Sequence, residues 1–288
     1  MDLYTETVQA LKKYNIRANK SLGQNFLIDE VVVNEIVESS NITKEDLVIE
    51  IGPGLGVLTK ELIKFAGKVI TIELDLKMIN ILKTRFATEK NLEIIHGDVL
   101  EINLMELITD NLKSSKLKQA KIVANLPYYI TTPIIMKLIE SRLPLESITV
   151  MVQKEVADRL VTPPGDRLAG AITYTIRYYC KPELLMEVPS NCFIPSPEVD
   201  SSVIRLNVLR EPSIMVADEQ LFFRIIKQAF SQRRKTLVNN FIGFKGLSRD
   251  SIIKMLEEMN LDPKIRGEKL TMEDYKKIVE YISFSNKM

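Results

Sequence analysis

The sequence predicts an α/β protein: an open, mainly parallel sheet flanked by helices, followed by a smaller C-terminal all-helical domain. Three observations carry this. Short apolar runs alternate with helical stretches through the first two-thirds of the chain, as successive strand–helix units do. Four of those runs end in polar or glycine-containing features, at the edge along which open parallel sheets bind ligands. Beyond residue 208 the strand pattern stops and helices follow. The expected domains are residues 1–208 and 209–288.

Composition bounds what such a fold can do. With 288 residues, 45% apolar and 27% charged, the chain can bury one large core and a smaller second one. The net charge of +1 hides an asymmetry. Residues 1–208 carry 24 Lys and Arg against 27 Asp and Glu, whereas 209–288 carry 15 against 11, so the second domain is basic. Cys180 and Cys192 have neither metal-ligand spacing nor a disulfide framework, and His96 is the only histidine, which argues against a metal site and a Ser-His-Asp triad. No apolar run reaches the ~20 residues that span a membrane, and the first seven residues lack the apolar core of a signal peptide. The expectation is a cytoplasmic monomer with no membrane or metal partner.

Residues 1–19 read as a helix with Leu3, Val8, Leu11 and Tyr14 near one face, leading to Asn15 and a basic arm with Arg17 and Lys20. The segment from Lys20 to Leu27 is polar and loop-like, and a linker that tucks Phe26 and Leu27 into the core also fits. A helix is expected from about Asp29 to Ser39. Leu47–Ile51 is a buried strand running into Gly52-Pro53-Gly54-Leu55-Gly56, with a helix starting near Leu58. Gly52 and Gly54 let a ligand approach the backbone at a helix N-terminus. The spacing is not Gly-x-Gly-x-x-Gly, and Glu50 at the strand end would repel a pyrophosphate but suits a cationic cofactor such as S-adenosylmethionine. An unliganded strand–helix turn is the alternative. Lys68–Ile72 is a second strand, ending at Glu73, whose carboxylate can accept from both hydroxyls of a ribose. After a helix from Leu76 to Phe86, the strand Leu92–Ile95 leads to Asp98, which either meets the amine of a cofactor adenine or simply caps a helix. His96 reads as a solvated strand-end residue.

A helix from Leu104 to Leu117 precedes the fourth strand, 121–124, which stops at Asn125-Leu126-Pro127-Tyr128. Pro127 lacks an N–H and biases Leu126 toward an extended backbone, so the Asn125 amide oxygen and the Leu126 carbonyl can face one point. Two acceptors there suit the two N–H donors of an exocyclic amine, as on adenine. Accepting both hydrogens localises the lone pair and makes the amine nucleophilic without a general base, while Tyr128 stacks on a base taken out of its helix. A buried strand ending in a proline turn fits the same four residues. Further on, a helix runs from Thr132 to about Glu140, a fifth strand from Ser147 to Val152 and a short helix from Lys154 to Leu160. Ala171–Tyr179 reads as a strand with Val203–Leu209 as its antiparallel partner. The turn Cys192–Asp200 brings Phe193 either to the other face of a flipped base or into the core. Helices then follow at Asp218–Phe230, Lys235–Phe241, Arg249–Met259 and Thr271–Phe284. Arg233, Arg234 and Lys235 suit phosphate contacts, although a solvated charge run is the commoner use of such a triplet.

Taken together, these motifs resemble the KsgA family of small-subunit ribosomal RNA adenine dimethyltransferases over nearly the whole chain. The resemblance rests on Ser21–Leu27, Glu50–Gly56, Glu73, Gly97-Asp98, Asn125–Tyr128, Phe193–Ser201 and Gln232–Lys235. It implies a Rossmann-like class I methyltransferase sheet with a helical RNA- and ribosome-binding domain, and S-adenosylmethionine contacts at Asn25, Leu27, Gly52, Glu73, Asp98 and Asn125. The implied substrate is two adjacent adenines near the 3′ end of small-subunit rRNA within an immature subunit. Leu168-Ala169-Gly170 departs from the family pattern, which has an aromatic residue before the glycine. Large-subunit rRNA methylases of the macrolide-resistance type and a non-catalytic RNA-binding relative are the alternatives. A nicotinamide-dependent oxidoreductase is disfavoured by the glycine spacing and Glu50.

Overall fold

Successive strands bury both faces beneath helices, and this dictates the architecture. The computed structural model describes residues 2–19, 23–114 and 116–285. Lys20 of the basic arm and Ser21 and Leu22 of the polar segment lie outside the described residues. In chain order the elements are α1 (Leu3–Lys13), β1 (Phe26–Leu27), α2 (Glu30–Ser39), β2 (Asp46–Ile51), α3 (Val57–Phe65), β3 (Lys68–Glu73), α4 (Leu76–Arg85), β4 (Leu92–His96), α5 (Leu104–Lys113), β5 (Gln119–Asn125), α6 (Thr131–Glu140), β6 (Leu145–Gln153), α7 (Lys154–Val161), α8 (Ala171–Tyr179), β7 (Cys180–Val188), β8 (Phe193–Ile194), β9 (Ser201–Val208), α9 (Glu219–Ala229), α10 (Leu237–Phe241), α11 (Arg249–Glu258) and α12 (Met272–Ser285). Among the described residues no helix is long and apolar enough to cross a membrane.

Seven strands form one sheet in the order β4-β3-β2-β5-β6-β9-β7. The five from β4 to β6 are mutually parallel, and β9 joins β6 antiparallel. Every residue of β2 is buried, the pattern of a central strand with helices on both faces. Val48, Val69 and Val123 of the sheet pack with Val33, Ile36 and Val37 of α2 and with Leu58 and Leu62 of α3 in one cluster. A separate two-stranded ribbon pairs β1 with β8, Leu27 opposite Phe193. Gly56 caps α3 with φ 80°, which other residues rarely adopt, and a Cβ there would lie 2.5 Å from the Phe86 ring and 2.8 Å from Leu82 Cδ2, so those side chains would have to move.

By contacts the chain forms two compact units, Met1–Ala157 with Pro182–Val208, and Asp158–Lys181 with Leu209–Met288. Asp158–Lys181, read from the sequence as part of the first domain, therefore packs with the second unit. Residues 171–179, expected as a strand, form helix α8. Its Tyr174 and Tyr178, one turn apart, pack among Phe222, Ile225 and Tyr275. The Tyr174 hydroxyl donates to the Leu270 carbonyl at 2.6 Å, and Thr173 Oγ1 accepts from the Gly170 N–H at 2.9 Å to close the first turn. With 171–179 helical, β9 pairs with β6 instead. At the N-terminus α1 ends at Lys13 rather than near residue 19, because Asn15 turns the chain with φ 48°.

Candidate active site

Parallel strands deliver their C-terminal residues to one edge, and four of them do so here. Glu50 near the end of β2, Glu73 ending β3, Asp98 just past β4 and Asn125 ending β5 all line one cavity of about 150 Å³. Of the residues singled out in the sequence, Asn25, Leu27, Gly52, Gly54, Leu126, Pro127 and Tyr128 line it as well. Phe193 does not. It is 3% exposed, opposite Leu27 in the ribbon, and packs with Val32, Val33 and Met151 of the core. Arg233, Arg234 and Lys235 belong to the second unit, exposed on the turn between α9 and α10.

The glycine loop bends over the cavity with φ 66° at Gly52 and 56° at Gly54. It is tied to the next strand end: Glu73 Oε2 accepts from the Gly54 N–H at 3.1 Å, and Oε1 accepts from the Asp75 N–H at 2.9 Å. A carboxylate has about four acceptor positions, so both oxygens keep capacity for a diol. Asp98 Oδ1 accepts from the Leu100 N–H at 2.8 Å and shapes a turn rather than a helix start. Lys137 of α6 donates to the Ile102 carbonyl at 3.0 Å and to that of Leu100, bracing this turn against the helix that follows Tyr128.

At the end of β5 the Leu126 N–H donates to the Met151 carbonyl at 3.1 Å. The Asn125 Nδ2 group donates to the Asn25 carbonyl at 3.5 Å. Among the described residues neither Asn125 Oδ1 nor the Leu126 carbonyl has a donor. Both remain available to an incoming N–H pair. Pro127 starts a 3₁₀ turn, Tyr128–Ile130, closed by the Ile130 N–H and the Thr131 hydroxyl on the Pro127 carbonyl. Tyr128 shares a 2.5 Å hydrogen bond with Ser201 Oγ of β9, which anchors its ring on the lining of the same cavity.

Burial sets the charge states. It pushes the Glu50 carboxyl, 1% exposed, up to about 8, against the 2.5 Å hydrogen bond from Thr59 Oγ1, and the Glu73 charge adds to the rise. Burial also raises Glu73, opposed by the backbone N–H groups it accepts. The Tyr128 phenol is raised by burial, with Ser201 opposing, and is neutral at pH 7. Two carboxyls raised by burial in one cleft mark a candidate functional site.

Tyr129, which lines the cavity while 55% exposed, and Lys137 are functional-site residues that the sequence pattern does not single out. Tyr129 had a signal, since it follows Tyr128 directly. Lys137 had none, as its function depends on carbonyls 35 and 37 positions away.

The family model described as ribosomal RNA adenine dimethylase matches residues 15–283. A ribosomal RNA small subunit methyltransferase A from Alkaliphilus metalliredigens is 44% identical over 280 residues, covering 97% of this chain and 96% of the relative. One from Clostridium perfringens is 45% identical over 270 residues, covering 94% and 92%. The crystal structure of a dimethyladenosine transferase from Plasmodium falciparum superposes with a TM-score of 0.73 at 26% identity, covering 91% of this chain and 98% of that one. That of the 23S rRNA methyltransferase ErmE does so at 0.67 and 22% identity, covering 90% and 100%, and shares the fold.

Proposed function

The chain belongs to the ribosomal RNA adenine dimethylase family, and on that premise we propose that it methylates two adjacent adenines near the 3′ end of small-subunit rRNA, using S-adenosylmethionine bound at the strand ends. It is an enzyme, a ribosomal RNA adenine dimethyltransferase of the small-subunit type. The cavity suits that cofactor chemically: Glu50 and Glu73 offer carboxylates to a sulfonium, an amine and a diol, and Leu27, Ile72 and Val99 offer apolar walls. Bound there, the cofactor supplies an electrophilic methyl group.

The rest is done by this chain. Asn25 and Leu27 close one side, Gly52 and Gly54 keep side chains out of the way, Glu73 takes the ribose hydroxyls and Asp98 the adenine amine. Asn125 Oδ1 and the Leu126 carbonyl accept the hydrogens of the target amine, two before the first transfer and one before the second, holding its lone pair toward the methyl group, and the proton that the methylated amine sheds passes to water. Pro127 keeps those acceptors convergent. Tyr128 covers the face of the extruded base, and as a neutral phenol bound to Ser201 it takes no proton. Arg233, Arg234 and Lys235 hold RNA phosphates. Because phosphate contacts carry no sequence information, the pocket and RNA shape select the base, which favours RNA folded in an immature subunit over an isolated oligonucleotide.

The observation that carries this reading is the pair of donor-free acceptors beside Tyr128. Labelled cofactor incubated with separated ribosomal subunits should place label on adjacent adenines of the small subunit. Asn125→Ala should lower kcat about 100-fold or more, as loss of one preorganised polar contact to a reacting group does, with cofactor binding still measurable. Near-normal turnover of Asn125→Ala, or label confined to the large subunit, would overturn it.

A further inference from the structure

Tyr128 and Tyr129 are consecutive, yet the structure treats them differently. A 3₁₀ turn has three residues per turn, so neighbouring side chains point about 120° apart. Tyr128 is half-buried and tied to Ser201, while Tyr129 lies 55% exposed on the lining of the cavity. Among the described residues the Tyr129 hydroxyl has no hydrogen-bond partner and its ring no aromatic or cationic one. Its backbone is nevertheless fixed, because the turn is closed on both sides onto the Pro127 carbonyl. The ring is also backed by Gly23, where a Cβ would come within 3.1 Å of Tyr129 Cδ1. A large aromatic surface is thus held in place and left open to solvent at the mouth of the base pocket.

Extruding a base from its stack leaves the neighbouring base with one face bare, and exposed aromatic rings take up such faces. Resting on the adenine-methylating reading above, we infer that Tyr129 is a positioning residue that stacks on the nucleotide flanking the target, so that while one adenine occupies the pocket its neighbour lies on this ring. Tyr128 and Tyr129 then hold two consecutive bases by their faces. The hydrogen bonds that identify the target remain with Asn125 and Leu126.

The test uses the full chain, labelled S-adenosylmethionine and small ribosomal subunits, with Tyr129→Ala, Tyr129→Leu and Tyr129→Phe beside the wild type. Tyr129→Ala should raise KM for the subunit about 10-fold, within the range of one lost base–aromatic stack, with kcat on saturating subunits little changed. Phe should restore the wild-type KM and Leu should not. Cofactor affinity by calorimetry should be the same in all four. A wild-type KM for Tyr129→Ala, equal rescue by Leu and Phe, or a loss of cofactor affinity each overturns the inference while wild-type methylation leaves the functional reading standing. If the wild type transfers no label to small subunits, the functional reading falls and the inference with it.

Discussion

Glu50 lines the strand-end cavity with its carboxyl raised to about 8, so near pH 7 the free protein holds a proton whose removal the binding of a cation there would favour. Cofactor affinity should therefore increase from pH 6 to about 8.5 and level off there, with proton release detectable as a buffer-dependent binding enthalpy; Glu50→Gln should flatten the profile. The same shift fixes the sign for stability. A carboxyl whose folded value lies above its unfolded 4.5 favours the fold fully only below that pH, and the benefit is lost as pH rises through 8. Glu50→Gln, which can keep the Thr59 hydrogen bond, should then raise the melting temperature of the ligand-free protein by several degrees at pH 8.5 and much less at pH 5. An unchanged melting temperature at pH 8.5 would mean that burial does not raise the carboxyl. These site residues were legible in the sequence because each strand end carries one polar feature, and parallel topology brings such ends together. Phe193 shows the limit: a Phe before a proline turn has the same pattern whether it faces a ligand or, as here, packs behind Leu27.

At the scale of elements, β5 carries Asn125 on the cavity at one end and a buried charge cluster at the other. Lys121, 2% exposed, lies 3.0 Å from Asp46 and 3.1 Å from Glu146. Asp46 is fully buried, and burial pushes its carboxyl up, but the Thr43 N–H and Lys121 outweigh that and leave it below the usual value. Removing the cation strands a buried carboxylate. Lys121→Met should cost about 3–5 kcal/mol in denaturant unfolding, and Asp46→Asn in the same chain should recover part of it. A loss below about 1 kcal/mol, the worth of an exposed pair, would show the pair to be effectively solvated. The depressed Asp46 contributes stability above the unfolded value of 3.8 that disappears as pH falls through its lower folded value. The order of the strands in this half followed from apolar runs alone, although β5 and β6 begin two residues earlier than the runs suggest. Helix α8 did not, since Ala171-Ile-Thr-Tyr-Thr-Ile-Arg-Tyr-Tyr is rich in β-branched and aromatic residues, which favour strands locally. The i, i+4 packing of Tyr174 and Tyr178 overrides that preference, and it depends on partners 40 to 100 positions away.

For the molecule as a whole, charge divides as the chemistry requires. The carboxylates that suit a cationic cofactor belong to the first unit, and the surplus of cations follows residue 208. Arg233, Arg234 and Lys235 are all exposed, on a turn held by the Lys235 N–H on the Gln232 carbonyl, and among the described residues none forms an ion pair. Three cations spaced on one turn, with no acidic partner, are available to phosphates. Each phosphate contact releases counterions and contributes about 0.7–0.9 to the dependence of log affinity on log salt. Replacing all three by Ala should therefore lower the slope for binding to small subunits by about 2–3, measured between about 50 and 200 mM salt. The loss should be similar for every RNA tested, because the contacts read no sequence. Cofactor affinity and the melting temperature should not change, since the three residues are exposed. A slope equal to that of the wild type would assign the cluster to solvation and leave the remaining cations of the second unit, such as Lys254, Lys276 and Lys277, to hold the RNA.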